Sequence, residues 1–321
     1  MTRRSRKYSD MKRKQHIVVV GSSNTDLIIR VEHIPKPGET VLGGKFVTAA
    51  GGKGANQAVA AARAGGKVTF VARIGQDTFG TQAMRGFKQD GLNLKHLVSD
   101  NKHPSGTALI FVSQSGENSI AVASGANAEL SVADVLRAKP AFARAKVCIL
   151  QLEIPLATVQ AAAELAYSQG TLVILNPAPA QKLSSALLER VTILTPNESE
   201  TEFLTGIPIR DETSARRAAE QLLSRGVLVV ILTLGSRGVF VATEGVRRRV
   251  PGFKVKPMDT TAAGDVFNGA LAASLAEGKE LMLAVRFANA AAALSVTRLG
   301  AQPSAPSRRD IERFLNQFSG E

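Results

Sequence analysis

The stretch VCILQLEIPLATVQAAAELAYSQGTLVIL, residues 147–175, contains a complete strand–helix–strand pattern. Residues 147–152 and 172–175 are short runs of apolar and β-branched side chains, which predict buried strands. The intervening segment 156–168 is rich in Ala and contains neither Gly nor Pro, so it predicts a helix. Two buried strands joined by a helix are typical of a parallel βαβ unit.

The same alternation continues on both sides of this unit. Further strands are predicted over residues 16–21, 68–74, 191–194 and 227–232. Further helices are predicted over residues 54–64, 79–89, 214–224, 264–277, 281–297 and 307–317. Strands that alternate with such helices indicate an α/β fold, in which a doubly wound, mostly parallel sheet is covered by helices on both faces.

Two regions interrupt this alternation because no helix separates their strands. One lies within residues 24–48, with strands predicted over 27–34 and 40–48 around a Pro-Lys-Pro-Gly turn. The other lies within residues 107–123, around a Ser-Gly-Glu turn. Strands joined by short turns pair antiparallel and do not enter a parallel sheet. We therefore predict a small antiparallel β lid beside the main sheet.

The composition indicates a globular enzyme. The 321 residues are 44% hydrophobic and 21% charged, which is ample for a buried core. The formal net charge is +13, and residues 1–15 contain seven basic residues against one acid. We predict that they form a disordered basic tail ahead of one domain over 16–321. Contact of the tail with nucleic acid or an anionic membrane is the less favoured alternative, because no known binding motif follows it.

Cysteine and histidine are too sparse for several kinds of site. The single cysteine, Cys148, lies in an apolar run, so we expect a buried thiol and no internal disulfide. The four histidines lack the spacing of a metal site. No stretch reaches the ~18 apolar residues that a membrane helix needs. These features predict a cytoplasmic protein without membrane contact.

A glycine cluster begins the helix predicted over residues 54–64. The sequence Gly-Gly-Lys-Gly-Ala-Asn, residues 51–56, allows close backbone approach to a ligand at a helix start. It is not a Walker A loop, because no Ser or Thr follows Lys53, nor a dinucleotide fingerprint, because the third glycine is absent. A tight turn alone would explain the glycines. Lys53 and Asn56 within the turn favour recognition of hydroxyl groups.

Small residues also precede the helix predicted over residues 264–277. In the sequence Asp-Thr-Thr-Ala-Ala-Gly-Asp, residues 259–265, they leave the first N–H groups of the helix unobstructed, and the helix dipole adds positive potential. The pattern predicts an anion-binding site with Asp265 beside it. An acid in a first helical turn is common, but this does not explain the small residues.

Three more segments place polar side chains after predicted strands, where open α/β sheets bind ligands. Asn24 and Asp26 suit a polyol, although an Asx turn would also explain them. Asn197 and Glu200 suit a hydrated Mg²⁺, or only a helix cap. The glycine-containing segment 233–238 suits a nucleotide or a plain turn. None of these patterns decides the function alone.

Together, the motifs and their order resemble those of the ribokinase-like (PfkB) carbohydrate kinases. The resemblance extends from about His16 to Phe318. The matching blocks are GSSNTD (21–26), PGET (37–40), GGKGANQA (51–58), QLE (151–153), NPAPA (176–180), TPNE (195–198), TLGSRG (233–238), DTTAAGDVFNGA (259–270) and GAQPS (300–304). The resemblance implies a kinase domain with the fold predicted above, which transfers a phosphoryl group from ATP to D-ribose and forms ribose 5-phosphate.

The resemblance also implies roles for individual residues. Asp265 would take the proton from the primary hydroxyl of the sugar, while the residues Ala262, Ala263, Gly264 and Asp265 would offer backbone N–H groups to the phosphoryl group. The implied sugar-binding residues are Ser22, Ser23, Asn24, Asp26, Ala50, Gly51, Gly52, Lys53, Gly54, Asn56, Glu153 and Asp265. The implied ATP-binding residues are Asn197, Thr233, Leu234, Gly235, Ser236, Arg237, Gly238, Gly264, Asp265 and Asn289. Glu200 would organise Mg²⁺. The implied shell of an activating K⁺ is Asp259, Thr261, Ser295, Arg298, Gly300 and Ser304.

Two positions depart from the family pattern. Thr261 stands where an aliphatic residue is common, but the implied contact is a backbone carbonyl, so cation binding should survive. Asn289 stands where a His is frequent beside the adenine, which predicts weaker stacking on the base. The family also implies a homodimer formed through the lid and no nucleic-acid partner.

Two alternative functions stay open. The first is a related kinase for deoxyribose, fructose or a nucleoside, although Gly52, Lys53 and Asn56, with the Asn24 and Asp26 pair, favour ribose. The second is a nucleic-acid-binding protein on a kinase-derived scaffold, which the positive charge favours. Deletion of residues 1–15 separates them, because a kinase would keep turnover and a nucleic-acid binder would lose its ligand.

Overall fold

The computed structural model describes residues 15–318. Residues 1–14 of the predicted basic tail, which was predicted over residues 1–15, therefore lie outside the described part of the chain. Its predicted disorder and the domain boundary after residue 15 stay predictions.

The described residues form strands and helices in close alternation. The strands are β1 (His16–Val20), β2 (Asn24–Arg30), β3 (Lys45–Gly51), β4 (Lys67–Gly75), β5 (Leu97–Asp100), β6 (Gly106–Val112), β7 (Asn118–Ala123), β8 (Ala145–Leu150), β9 (Leu172–Leu175), β10 (Ile193–Leu194), β11 (Val229–Thr233), β12 (Val239–Ala242) and β13 (Arg247–Val250). The α-helices are α1 (Lys53–Arg63), α2 (Thr78–Gln89), α3 (Val132–Arg137), α4 (Lys139–Arg144), α5 (Leu156–Ser168), α6 (Ser185–Leu188), α7 (Glu198–Thr205), α8 (Glu212–Ser224), α9 (Ala263–Ala276), α10 (Leu281–Ser295) and α11 (Arg308–Gln317).

The main sheet has nine strands in the order β13-β12-β11-β10-β9-β8-β1-β4-β5. Its strands run parallel from β11 to β5, and only β12 and β13 are added antiparallel at one edge. The predicted mostly parallel α/β sheet is therefore confirmed. The sequence did not predict β12 or β13, because they are short and become strands only through the antiparallel pairing of β12 with β11 and of β13 with β12. It also did not predict β5, a four-residue strand that pairs with β4.

Apolar side chains cover both faces of the sheet. Ile17 and Val19 of β1 belong to a buried cluster with α1, α9 and α10, whereas Val18 and Val20 belong to a second cluster with α5 and α8. Because successive side chains of a strand point to opposite faces, this alternation places helices on both sides of the sheet. Cys148 of β8 is fully buried in the second cluster, as predicted, and burial raises the pKa of its thiol.

The lid is a separate sheet with the order β3-β2-β6-β7. The two predicted hairpins are present, since β2 pairs antiparallel with β3 and β6 pairs antiparallel with β7. The hairpins join through a parallel pair, β2 with β6, at the centre of the sheet. β1 ends at Val20 and β2 begins at Asn24, so the lid leaves the main sheet at the carboxyl end of β1.

The strand bounds predicted in the first hairpin were wrong at both ends. β2 begins at Asn24 and ends at Arg30, because Asn24 already pairs with Gly51 on one side and with Gly106 on the other. β3 begins only at Lys45, after Gly43 and Gly44, whose positive φ angles of 91° and 109° interrupt an extended strand. Asn24 and Asp26 therefore lie in a strand and not in an Asx turn.

Within residues 15–318, no helix is both long and apolar enough to cross a membrane.

Candidate active site

The chain segments that follow β1 and β8 meet the start of α1 at one edge of the main sheet. Ser22 Oγ donates to Glu153 Oε2 at 2.5 Å, and the backbone N–H of Lys53 donates to the same oxygen at 2.9 Å. A Cβ built on Gly54 would lie 2.4 Å from the backbone nitrogen of Ser22, so only glycine allows the helix to start this close to β1. The glycine cluster thus brings two predicted sugar-binding segments together.

Asp265 lies in the first turn of α9 and is 6% exposed. Asn56 Nδ2 donates to its Oδ2 at 3.0 Å, and Gln57 Nε2 donates to its Oδ1 at 2.8 Å. Burial raises the pKa of Asp265, while the charge of Lys53 and the two amide hydrogen bonds oppose the rise. Each carboxylate oxygen keeps a lone pair that can accept a proton from a substrate.

The start of α9 is shaped to receive an anion. Ala262, which precedes the helix, has a φ of 59° and is the only residue other than glycine with a positive φ in the described range 15–318. The first N–H groups of a helix have no acceptor within it. A Cβ built on Gly264 would meet no atom within 4 Å, so the space beside the helix start is open. The geometry suits an oxygen anion at this position.

Asn24 and Asp26 project from β2 towards the same region. Asn127 anchors the first of them, because its Nδ2 donates to Asn24 Oδ1 at 2.7 Å. The absence of a side chain at Gly51 makes room for the second, since a Cβ there would lie 2.3 Å from both carboxylate oxygens of Asp26. Burial, together with the negative charges of Glu153 and Asp265, raises the pKa of Asp26 to about 6.

Lys53 is the cation among these carboxylates. Burial acts to lower its pKa, but the charges of Asp265, Glu153 and Glu200 outweigh burial and raise it. The Asn56 Oδ1 atom is buried and has no hydrogen-bond partner in the structure. A buried acceptor without a donor is costly, so a ligand hydroxyl is a fitting partner for it.

Asn197 and Glu200 form a reciprocal cap at the start of α7, as one of the two sequence interpretations predicted. Asn197 Oδ1 accepts from the backbone N–H of Glu200 at 2.8 Å, and both Asn197 nitrogens donate to the Glu200 carboxylate at 2.9 Å. Burial raises the pKa of Glu200, while the Asn197 hydrogen bond and Lys53 lower it. Each Glu200 oxygen retains a lone pair for a water bound to Mg²⁺, so this donor fits the metal.

The predicted nucleotide segment forms a tight turn between β11 and β12. Gly238 has a φ of 87°, and a Cβ on it would lie 2.1 Å from the carbonyl oxygen of Val250. The Arg237 side chain pairs with Glu198 of α7. Asn289 of α10 lies near the same turn, because its Nδ2 donates to the carbonyl oxygen of Pro251 at 3.4 Å. The structure thus brings these residues together beside the start of α7.

The two segments predicted to bind K⁺ are adjacent. Asp259 accepts from the backbone N–H groups of Thr261 and Gly300, both at 2.9 Å, and these bonds hold its pKa below the usual value although burial acts to raise it. The side chains of Ser295 and Ser304 are buried. Their hydroxyl oxygens and the surrounding backbone carbonyls are the neutral donors that fit a large monovalent cation. The Arg298 side chain turns towards Asp310, so only its carbonyl is available.

The described residues contain no group of three or more His, Cys, Asp and Glu side chains that could bind a metal ion. Besides the carboxylate of Glu200 or Asp259, a metal at either predicted position would therefore depend on backbone, hydroxyl and water oxygens, or on a bound phosphate.

Several site residues received no role from the sequence. Gln57, Asn127, Gln151 and Asn176 are buried polar residues, and each hydrogen-bonds to a predicted site residue or to a neighbour of one. Gln57, Gln151 and Asn176 lie inside the matching blocks at 51–58, 151–153 and 176–180. Their position within these blocks was the available signal, but the sequence alone does not show which atoms they contact.

The chain is similar to known carbohydrate kinases over most of its length. Residues 14–308 match the model of the pfkB family carbohydrate kinases. The chain is 46% identical to a ribokinase of Haemophilus influenzae over 94% of this chain and 99% of that protein. It is 37% identical to a deoxyribokinase of Salmonella typhi, over 94% of this chain and 98% of that protein.

A solved structure of Arabidopsis thaliana ribokinase complexed with ribose and ATP superposes on this chain with a TM-score of 0.87. The two chains are 34% identical, and the match covers 94% of this chain and 99% of the other. A similarity this extensive in sequence and fold places the protein in a family. The chain belongs to the pfkB family of carbohydrate kinases.

Proposed function

We propose that this protein transfers the γ-phosphoryl group of ATP to the primary hydroxyl of D-ribose, forming ribose 5-phosphate and ADP. The observation that carries the proposal is the position of Asp265, which lies between the open helix start at Gly264 and a dense set of polar side chains. The chain is similar to ribokinases from other organisms over almost its whole length, and this similarity supports ribose as the substrate.

The side chains around Asp265 match a sugar with several hydroxyl groups. Asn24, Asp26 and Glu153 supply hydrogen-bond acceptors and Lys53 supplies a donor. The unpaired Asn56 Oδ1 can accept a hydrogen bond from a sugar hydroxyl. A site of this kind discriminates strongly against an analogue that lacks a hydroxyl, since buried polar groups would then remain unpaired.

In the proposed reaction Asp265 accepts the proton of the primary hydroxyl as that oxygen attacks the γ-phosphorus. The backbone N–H groups of Gly264 and Asp265 stabilise the negative charge on the transferred group, whereas the N–H of Ala263 already donates to the Thr260 carbonyl at 3.3 Å. The segment 233–238 and Asn289 bind the nucleotide. The lid, which contributes Asn24 and Asp26, covers the sugar and excludes water.

Two metal ions belong to the proposal. Mg²⁺, bound to ATP, would neutralise phosphate charge, and Glu200 would hold its waters through its free lone pairs. K⁺ would lie between the segments that contain Asp259 and Ser304, where the oxygen donors suit it. From there the Asp259–Thr261 segment leads directly to Ala262 at the start of α9.

Deoxyribose is the main alternative substrate, because a deoxyribokinase is among the relatives at 37% identity. A coupled ADP-release assay with ribose, 2-deoxyribose, fructose and adenosine tests the assignment. We expect the highest kcat/KM for ribose. A higher value for any of the other three would overturn the substrate, although not the family.

We also propose that the protein is a cytoplasmic homodimer that pairs through the lid. The lid exposes large apolar side chains that a second copy would cover: Phe46, Val47, Leu109, Ile120 and Val122. Sedimentation velocity should give a dimer for the full chain and a monomer for Ile120→Asp. We propose no nucleic-acid partner, so a chain lacking residues 1–15 should keep full ribose turnover. Loss of turnover in it would contradict this.

A further inference from the structure

Gln57 follows Asn56 in α1, but no sugar-binding role explains its contacts. Its side chain is fully buried, and Nε2 donates to Asp265 Oδ1 at 2.8 Å and to Asn176 Oδ1 at 3.0 Å. Its Oε1 accepts from Gln151 Nε2 at 2.7 Å. Because an ionised carboxylate only accepts hydrogen bonds, the nitrogen of this amide must face Asp265. Gln151 enforces the same orientation from the opposite side.

A second path leads from the same amide back to the start of α9. Asn176 Nδ2 donates to the carbonyl oxygen of Thr195 at 3.4 Å, and Thr195 Oγ1 donates to Asn268 Oδ1 at 2.7 Å. Asn268 Nδ2 then donates to the carbonyl oxygen of Gly264 at 2.8 Å. All these side chains are buried. The hydrogen bonds therefore form a ring from the carboxylate of Asp265 to the peptide that precedes it.

We propose that Gln57 is a positioning residue, which orients the Asp265 carboxylate as a hydrogen-bond acceptor for the sugar hydroxyl and is itself oriented by Gln151 and Asn176. The inference rests on the proposed role of Asp265 as the base. Because the ring also includes the peptide of Gly264, the base and the anion-binding backbone move as one unit. Such preorganisation is what a positioned proton transfer requires.

The charges near Asp265 make these amide donors necessary. Burial raises the pKa of Asp265, and Lys53 is the cation that opposes it. The carboxylates that face the same region are Asp26, Glu153 and Glu200. Repulsion from these acids favours the protonated form, in which Asp265 could not act as a base. The hydrogen bonds from Gln57 and Asn56 lower the pKa of Asp265 and so favour its ionised form.

The variant Gln57→Met tests the inference, because it keeps the length of the side chain and removes both donors. We expect kcat at neutral pH to fall about tenfold or more, since a hydrogen bond to a charged group is lost. The acid limb of the kcat profile should move up by about one pH unit, and raising the pH should recover part of the rate. The KM for ribose should change much less than kcat.

Thr158→Val is the matched control, because it removes a buried hydrogen bond, to the Leu130 carbonyl, in which neither Asp265 nor Gln57 takes part. It should lower stability without moving the acid limb. Gln151→Met is a second variant, which frees the Gln57 amide to turn, and it should shift the acid limb in the same direction by a smaller amount.

The role of Gln57 alone is overturned if the wild-type protein phosphorylates ribose but the acid limb of the kcat–pH profile stays in place in both glutamine variants. If the wild-type protein does not phosphorylate ribose with ATP, the proposed function fails first, and the two failures are distinct.

Discussion

Gly269 of α9 and Ala60 of α1 approach so closely that a Cβ built on Gly269 would lie 2.6 Å from the Cβ of Ala60. Asp265 lies one turn before Gly269, and Asn56 lies one turn before Ala60. The close contact of these helices therefore sets the distance at which the amides of α1 reach the carboxylate of α9.

The variant Gly269→Ala should for this reason lose both stability and activity. A helical Gly→Ala change normally stabilises a protein by about 0.5–1 kcal/mol. Here the new methyl group overlaps α1, so we expect a net loss of about 1–3 kcal/mol and a lower kcat. The control is Gly86→Ala in α2, where a Cβ meets no atom within 4 Å and the usual gain should appear. Urea unfolding measures the stability of each variant, and steady-state kinetics measure its kcat. The same change in stability and in kcat for Gly269→Ala and Gly86→Ala would contradict the prediction.

Asp265→Asn tests the base. The change preserves shape but removes the proton acceptor, and it turns one of the two hydrogen bonds from Asn56 and Gln57 into a donor–donor contact, so kcat should fall by about 10²–10⁴. Binding of ribose and ATP, measured by calorimetry, should change little. Lys53→Ala should instead weaken ribose binding, because it removes the cation beside three carboxylates. A near-normal kcat for Asp265→Asn would mean that Asp265 is only a helix-terminal acid.

Replacing K⁺ by Na⁺ or by tetramethylammonium at the same ionic strength should lower activity. The segments that contain Asp259 and Gly300 are joined by a 2.9 Å hydrogen bond, and the first leads into the helix start at Ala262. A cation of the right size would keep these backbone groups in place without touching the substrate. Initial rates in the three salts measure the effect, and equal rates would remove the monovalent cation from the proposal.

Asp26→Asn should stabilise the ligand-free protein while weakening its affinity for ribose. The pKa of Asp26 is about 6 in the fold against an ordinary value of 3.8, so its ionised form destabilises the fold. The penalty grows as the pH rises from about 4 to 6 and is complete above that range. We expect a gain of about 2 kcal/mol near neutral pH and almost none at low pH. Urea unfolding at both pH values checks the sign, and a loss of stability at neutral pH would contradict it.

The pattern of short apolar strands and Ala-rich helices was sufficient to predict most of the parallel sheet and its longer helices. It worked because buried strands such as β1 and helices such as α5 have characteristic periods that need no knowledge of partners. It failed for β5, β12 and β13, for the short helices α3, α4 and α6, and for the start of β2 at Asn24. β12 becomes a strand by pairing with β11, β13 by pairing with β12, and the start of β2 by pairing with β3 and β6.

The motifs identified residue types suited to each part of the reaction but not their mutual contacts. Asn24, Lys53 and Glu153 are far apart in the chain, and their sequence neighbours do not determine which oxygen meets which nitrogen. The role of Gln57 in particular follows from atoms contributed by α1, α9 and the ends of β8 and β9.

The sequence by itself determined the fold class, the order of the motifs and the family, since these depend on local periodicity and on residue types at fixed spacing. Only the tertiary structure decided that Asp265 is held by the adjacent amides of Asn56 and Gln57, and that Gly300 reaches Asp259. The reason is physical: a hydrogen bond needs donor and acceptor within about 3 Å of each other. Packing of distant segments, here permitted by glycines such as Gly54 and Gly269, sets those distances.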